Sequence, residues 1–306
     1  MTTLSSARAA APASATPETP PETPPETPPE TLPGADRPAL LDRGEPGPFE
    51  VLNPDATRPV LLICDHASRR IPRALGSLGL DNADLHRHIA WDIGAAAVTR
   101  HLAHRLGACA VLGTYSRLVI DLNRAPGAPE SIPPVSDGTP VPGNTDLAEA
   151  DEDARIAALF EPYHAEVTRR LHHLWRISGQ APVLFSVHSF TPTMRDGGQP
   201  RPWHVGVLWD RDGRVAEPLM ARLAAEDGLV VGDNEPYSGW VVGYSVAAHA
   251  GSAGLPRAAV EIRQDLIAGD AGAAAWAGRL AEALDGILAD PALYTVEPAA
   301  LSDGQE

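Results

Sequence analysis

Two histidines stand where chemistry is most readily done. His66 comes just after the apolar run PVLLIC (59–64), and His188 comes directly after VLFSV (183–187). Each precedes a small residue, Ala67 or Ser189, which leaves an imidazole room to face a cavity. Two histidines and one carboxylate make up the zinc site of many hydrolases, with the fourth position open to substrate. The alternative for either histidine alone is a buried ring satisfied by neighbouring backbone. Two further polar endings accompany them. Asn123 and Arg124 follow LVIDL (118–122), and Glu261 sits in AAVEIRQD (258–265), where alternation lets it face away from Val260 and Ile262. Glu261 has an alternative as an ion-pair partner of Arg257 or Arg263, and Arg117 and Arg124 have theirs as partners of Asp121 or of other acids in an acidic chain. The other nine histidines, among them His86, His88, His101, His104, His172 and His173, read as solvated or partly buried faces. Neither HExxH nor GxSxG occurs.

Such endings need strands that deliver them to one edge. Apolar runs predict strands at 59–64, 108–114, 118–122, 183–187, 204–209, 229–232 and 258–262. Helical spacing predicts helices at 92–106, 147–177, 215–226 and 271–288, with Pro162 placed to kink or split the second. Strands alternating with helices specify an α/β architecture, a mostly parallel or mixed sheet between helical layers. In such sheets ligands bind beyond the carboxyl ends of the strands. The segment 126–144, rich in Pro, Gly and Ser, is long for a loop and reads as a lid or binding loop, with Tyr237 and Trp240 placed to join it.

Composition narrows the chemistry. The 306 residues carry 40 acids against 24 bases, a net charge of −16, and every base is arginine. Without lysine there is no P-loop and no Schiff-base or pyridoxal chemistry. The acidity argues against nucleic acid as partner. No run of 18 apolar residues offers a membrane span. Cys64 and Cys109, both within apolar runs, read as inert core thiols. Residues 1–48 hold 12 of the 31 prolines, mostly in a PETP repeat, and read as an extended, solvated leader. The expected organisation is that leader, one domain at 49–290 and a short tail at 291–306, in a cytoplasmic protein.

Motifs along the whole domain carry a resemblance. DHASRRIP (65–72), AWDIGA (90–95), YSRLVIDLNR (115–124), SIPPVSDGTPVPGN (131–144), SVHSFTP (186–192), RPWHVGVLWDRD (201–212), GDNEPYSG (232–239) and EIRQDLI (261–267) together resemble the N-formylglutamate amidohydrolase family. The resemblance implies a fold like that of the zinc carboxypeptidases and aspartoacylases, with one Zn2+ per site. It implies His66 and His188 as ligands. The Glu that follows the first His by three residues in the carboxypeptidase pattern is replaced here by Arg69. Asp92 is the third-ligand candidate, with Asp65 behind it, although Asp before a helix is also a favoured N-cap. Glu261 takes the place of the catalytic acid/base. Asn123 and Arg124 resemble the pair that holds a substrate carboxylate, joined by Ser189, and Arg117 is positioned to polarise the scissile carbonyl.

The implied reaction is hydrolysis of the N-acyl amide of an acidic amino acid, foremost N-formyl-L-glutamate to formate and L-glutamate, a step of histidine breakdown. A related N-acyl amino acid is the nearest alternative substrate. A metal-free protein on the same fold, binding carboxylates through Arg117 and Arg124, is the alternative from another class. The expected partner is a small molecule, with neither nucleic acid nor membrane.

Overall fold

The computed structural model describes residues 39–195 and 199–297. Most of the proline-rich leader expected at 1–48 and the end of the tail at 291–306 lie outside them. The strands among these residues are β1 (Phe49–Leu52), β2 (Val60–Cys64), β3 (Cys109–Gly113), β4 (Val135–Ser136), β5 (Thr139–Pro140), β6 (Val183–Phe190), β7 (Val205–Leu208), β8 (Val231–Asp233) and β9 (Arg257–Arg263). The α-helices are α1 (Asn82–Leu85), α2 (Ala95–Leu106), α3 (Glu149–Arg155), α4 (Glu161–Ser178), α5 (Ala216–Ala224), α6 (Tyr244–Val246) and α7 (Asp270–Leu288).

Seven strands form one mixed sheet in the order β1-β3-β2-β6-β9-β7-β8. Its centre, β3-β2-β6-β9, is parallel, while β1 and β7 run antiparallel to their inner neighbours. The β2 sequence VLLIC shows why both faces are covered: every residue is buried, as a central parallel strand requires. Alternation sends Val60, Leu62 and Cys64 into one core with Leu102 of α2, Leu219 of α5 and Leu280 of α7. Leu61 and Ile63 enter the opposite core with Tyr163, Val167 and Leu171 of α4. The result is three layers. Both cysteines are free and buried, and burial pushes their thiols up. No helix among the described residues is long and apolar enough to cross a membrane.

Residues 118–122 correct the strand expected there. They form successive turns, closed by Val119 N–H to Ser116 O at 3.0 Å and Arg124 N–H to Asp121 O at 3.2 Å. Leu118, Val119, Ile120 and Leu122 are buried, so burial explains their apolar character without any ladder. No pairing edge was left beside β3, because β1 and β2 occupy its two sides. The helix expected from 92 begins at Ala95, after Gly94 in left-handed conformation (φ 83°). A Cβ at Gly94 would lie 2.2 Å from Ile267 O, so the turn that frees Asp92 from the helix needs glycine.

The helical stretch around Pro162 contains a wide π-turn at Ile156–Phe160, and Pro162 falls in the first turn of α4 directly after it, where the hydrogen-bond spacing changes. A second such turn, Ala247–Gly251, carries His249 against His164. His164 Nε2–H donates to Leu122 O (2.9 Å), and His249 Nε2–H donates to His164 Nδ1 (2.7 Å). Thr168 Oγ1 donates to His249 Nδ1 at 3.1 Å, so every ring nitrogen of the neutral pair is used. Burial and the neighbouring ring push His249 down to about 4, with His164 also lowered by burial. A histidine with a depressed native pKa binds fewer protons folded than unfolded below its ordinary 6.5. Its contribution is therefore complete above pH 6.5 and lost as pH falls toward 4. A loss of about 2 kcal/mol across that window is expected after allowance for partial exposure. In His249→Gln the fall of Tm between pH 6.5 and 4 should be shallower, and an unchanged slope would refute the assignment.

Candidate active site

The parallel register brings three strand ends together. Ile63 of β2 pairs with Ser186 of β6, and His188 pairs with Glu261 of β9. The backbone N–H of Asp92, in the turn before α2, donates to His66 O at 3.0 Å. The turns at 116–124 supply Arg117, Asp121, Asn123 and Arg124. These residues line a cavity of about 120 Å³ together with Ser189 and Tyr237, Asp121 standing behind the wall.

His66, Asp92 and His188 are all buried, and their donor atoms lie within 4.8 Å of one another. Both imidazoles turn Nδ1 toward Asp92 Oδ2, at 3.4 Å from His66 and 2.8 Å from His188. Their outer nitrogens meet carboxylates: His66 Nε2 is 2.7 Å from Asp121 Oδ1, and His188 Nε2 is 3.2 Å from Asp65 Oδ2. A carboxylate only accepts, so both nitrogens of each ring face an acceptor. Although burial works against it, these acids raise both imidazoles above their ordinary value. A cation held at Nδ1 would replace the inner proton and leave the outer N–H on its carboxylate. That is the carboxylate–histidine arrangement that orients metal ligands. The buried acids also suit a cation: Asp65, Asp92, Asp121 and Glu261 share the site, and the guanidinium of Arg117 pairs with only two of them, Asp92 and Asp121. Two nitrogens and a carboxylate suit zinc, so the residues present fit the metal.

Asp92 makes the most contacts. Ser189 N–H donates to its Oδ2 at 3.3 Å and Arg117 stands 3.6 Å from its Oδ1. No side-chain cap binds the start of α2, so the capping alternative for Asp92 is not what its carboxylate does. Burial alone would raise Asp92 and Asp121, but the imidazoles, and for Asp121 chiefly Arg117, hold both well below the usual carboxylate range. Asp65, the reserve ligand candidate, stands behind His188. Its Oδ1 accepts from Tyr163 (2.7 Å) and Ser245 (2.9 Å), and despite burial its neighbours hold it at about 2.

Glu261 differs from these acids. It is 8% exposed, and its Oε2 has no hydrogen-bond partner among the described residues. Arg257 bonds Asp210 (2.6 Å) and Arg263 bonds Asp265 (2.8 Å), so neither neutralises it. Burial pushes its carboxyl up to about 7, against the pull of His188.

Arg117 does pair with Asp121, at 2.6 Å, and still lines the cavity. Arg124 has no ion pair within 4 Å among the described residues and donates only to Asn123 O, at 3.2 Å. Asn123 Oδ1 accepts from Ser245 N–H at 2.9 Å, which aims its NH2 elsewhere. Ser189 Oγ donates to Ile93 O (2.9 Å). Tyr237 lines the cavity, with its hydroxyl accepting from Arg201 at 3.0 Å, whereas Trp240 is 61% exposed. The segment 126–144 contributes no lining residue; Asn144 ties it down by donating to Leu118 O and Pro133 O. Sequence reasoning missed His88, a half-buried ring in the cavity wall, and the supporting roles of Asp65 and Asp121. An acid adjoining His66 was the available signal for Asp65.

A family model described as N-formylglutamate amidohydrolase matches residues 58–268. An N-formylglutamate deformylase of Pseudomonas putida is 27% identical over 208 residues, 63% of this chain and 74% of that protein. The crystal structure of a gene product from Agrobacterium tumefaciens is similar at 38% identity and a TM-score of 0.77, covering 81% of this chain and 98% of that one. A Ralstonia eutropha N-formylglutamate amidohydrolase shares the fold at 21% identity and a TM-score of 0.57, over 79% of this chain and 97% of that one.

Proposed function

Because the chain belongs to the N-formylglutamate amidohydrolase family, we propose that it hydrolyses the N-acyl amide of an acidic amino acid with the help of zinc. The first reaction to test is N-formyl-L-glutamate plus water to formate plus L-glutamate. The observation that carries this reading is the unpartnered buried carboxylate of Glu261 in one cavity with the His66/Asp92/His188 set and Arg124.

His66, Asp92 and His188 would hold the ion, which supplies Lewis-acid polarisation of the carbonyl. Glu261 accepts a proton from the attacking water and returns it to the amide nitrogen as the C–N bond breaks. Arg124, with a fork free of acids, and the NH2 of Asn123 receive the substrate carboxylate. Arg117, fixed by Asp121 and Asp92, turns its remaining N–H groups to the carbonyl oxygen as negative charge grows there. Ser189 offers its lone pairs from the same wall.

The test is metal analysis of the purified protein, with formate release measured before chelation, after it and after zinc is restored. About one zinc per chain and a chelation-sensitive, zinc-restored activity are expected. Turnover indifferent to chelation would overturn the metal's part. Thermal stabilisation by N-acyl amino acids without formate or amine release would replace the enzyme with a carboxylate-binding protein.

A further inference from the structure

A second, smaller cavity opens from the first. It shares Asn123, His188, Val242 and Glu261 with the polar cavity, then continues past Glu261 between β7, β9 and α6. Its walls there are Leu208, Ala259 and Val246. The charged residues at its border, Asp210 and Arg257, are bonded to each other at 2.6 Å, and Arg257 also donates to Leu255 O at 3.2 Å. Their charges answer each other at the border, and the walls beyond are apolar, so the space favours an apolar group.

The two cavities divide a substrate at its scissile amide. The polar side holds the arginines and takes the amino-acid carboxylate, which leaves the acyl group facing the apolar side. A formyl group has only hydrogen beyond its carbonyl carbon and would leave that space unfilled. The cavity measures about 40 Å³. Since roughly 10–15 Å³ admits one water-sized group, about three carbon atoms fit in a row. Ala259 keeps the space open: it lies two residues before Glu261 on β9 and so shares its face of the strand. Beyond the cavity, between its lining residues Gly239 and Val242, Trp240 and Val241 are 61% and 83% exposed.

We infer that this pocket is an acyl subsite, and that the protein takes N-acyl amino acids with short apolar acyl chains of about two to four carbons. The inference rests on the hydrolase reading above and names the acyl class of that same site. Each methylene buried should raise kcat/KM roughly fourfold, so butyryl should exceed acetyl about 15-fold.

The experiment is a series of N-formyl, acetyl, propionyl, butyryl, hexanoyl and octanoyl derivatives of glutamate, assayed by amine release with the zinc-loaded full chain. The expected result is a rise from acetyl to butyryl and a fall by octanoyl. Ala259→Leu should erase the rise while formyl turnover stays within about threefold. Val246→Phe narrows the pocket from the opposite wall and should do the same if Ala259→Leu fails to fold. Turnover of the formyl substrate with acetyl and longer chains all poorer would overturn the subsite and leave the hydrolase reading standing. Failure of every derivative would overturn both.

Discussion

Glu261→Gln is expected to lower kcat by about 10²–10⁴-fold while zinc content stays at the wild-type level. The two sides of that result come from separate features of the site. Glu261 lies outside the group whose donor atoms converge within 4.8 Å, so an amide in its place leaves the ligands untouched. Its Oε2 has no partner among the described residues, so substitution breaks no hydrogen bond at that atom. What the amide cannot do is take a proton from water and deliver it to the departing nitrogen. Burial, helped by the Asp92 charge and opposed by His188, carries the carboxyl up to about 7, near the range where one group both accepts and donates. Tm should not fall, since a neutral amide costs less to bury than a carboxylate. A kcat within fivefold of wild type, with full zinc content, would remove Glu261 from the mechanism. Loss of zinc together with activity would make it a ligand instead.

The strand ends were the legible part of this site. The buried runs before Asp65, His188 and Glu261 are short, apolar and broken by polar residues. In a parallel sheet those breaks fall at one edge, as the β2-β6-β9 register shows. Residues 118–122 look the same in sequence and are not a strand, because an apolar run reports burial and not hydrogen bonding. Whether such a run joins a sheet depends on a free edge, and β1, a four-residue strand of half-buried FEVL, holds that edge of β3. The same misreading hid Asp121. Placed on a strand, it alternates away from its neighbours; placed in a turn, it reaches His66 and Arg117 at once. Asp92 was undecidable by residue type, because a cap and a ligand both put Asp before a helix. A left-handed Gly94 decided it by interposing two residues between Asp92 and the first turn of α2.

Asp92→Ala is the substitution that tests this centre most severely, with zinc content expected below a tenth of wild type and kcat down by 10³-fold or more. Among the described residues Asp92 is the one acid within 3.4 Å of both imidazoles, and it also receives Ser189 N–H and faces Arg117. Its removal takes one of three ligands and leaves the two Nδ1 atoms without the group on which they converge. Asp121→Asn probes the neighbouring layer, where His66 Nε2–H can still donate to the amide oxygen but the charge is gone. A 10–100-fold loss of zinc affinity is expected there, the scale of a group that orients a ligand without touching the metal. The contrast between the two variants separates ligand from support, because a site held together by packing alone would lose similar amounts from both. Should Asp92→Ala bind zinc as tightly as wild type, the His66/Asp92/His188 centre would be wrong. The carboxylate would then serve the fold only, by tying His188 and Ser189 of β6 to the turn that starts α2.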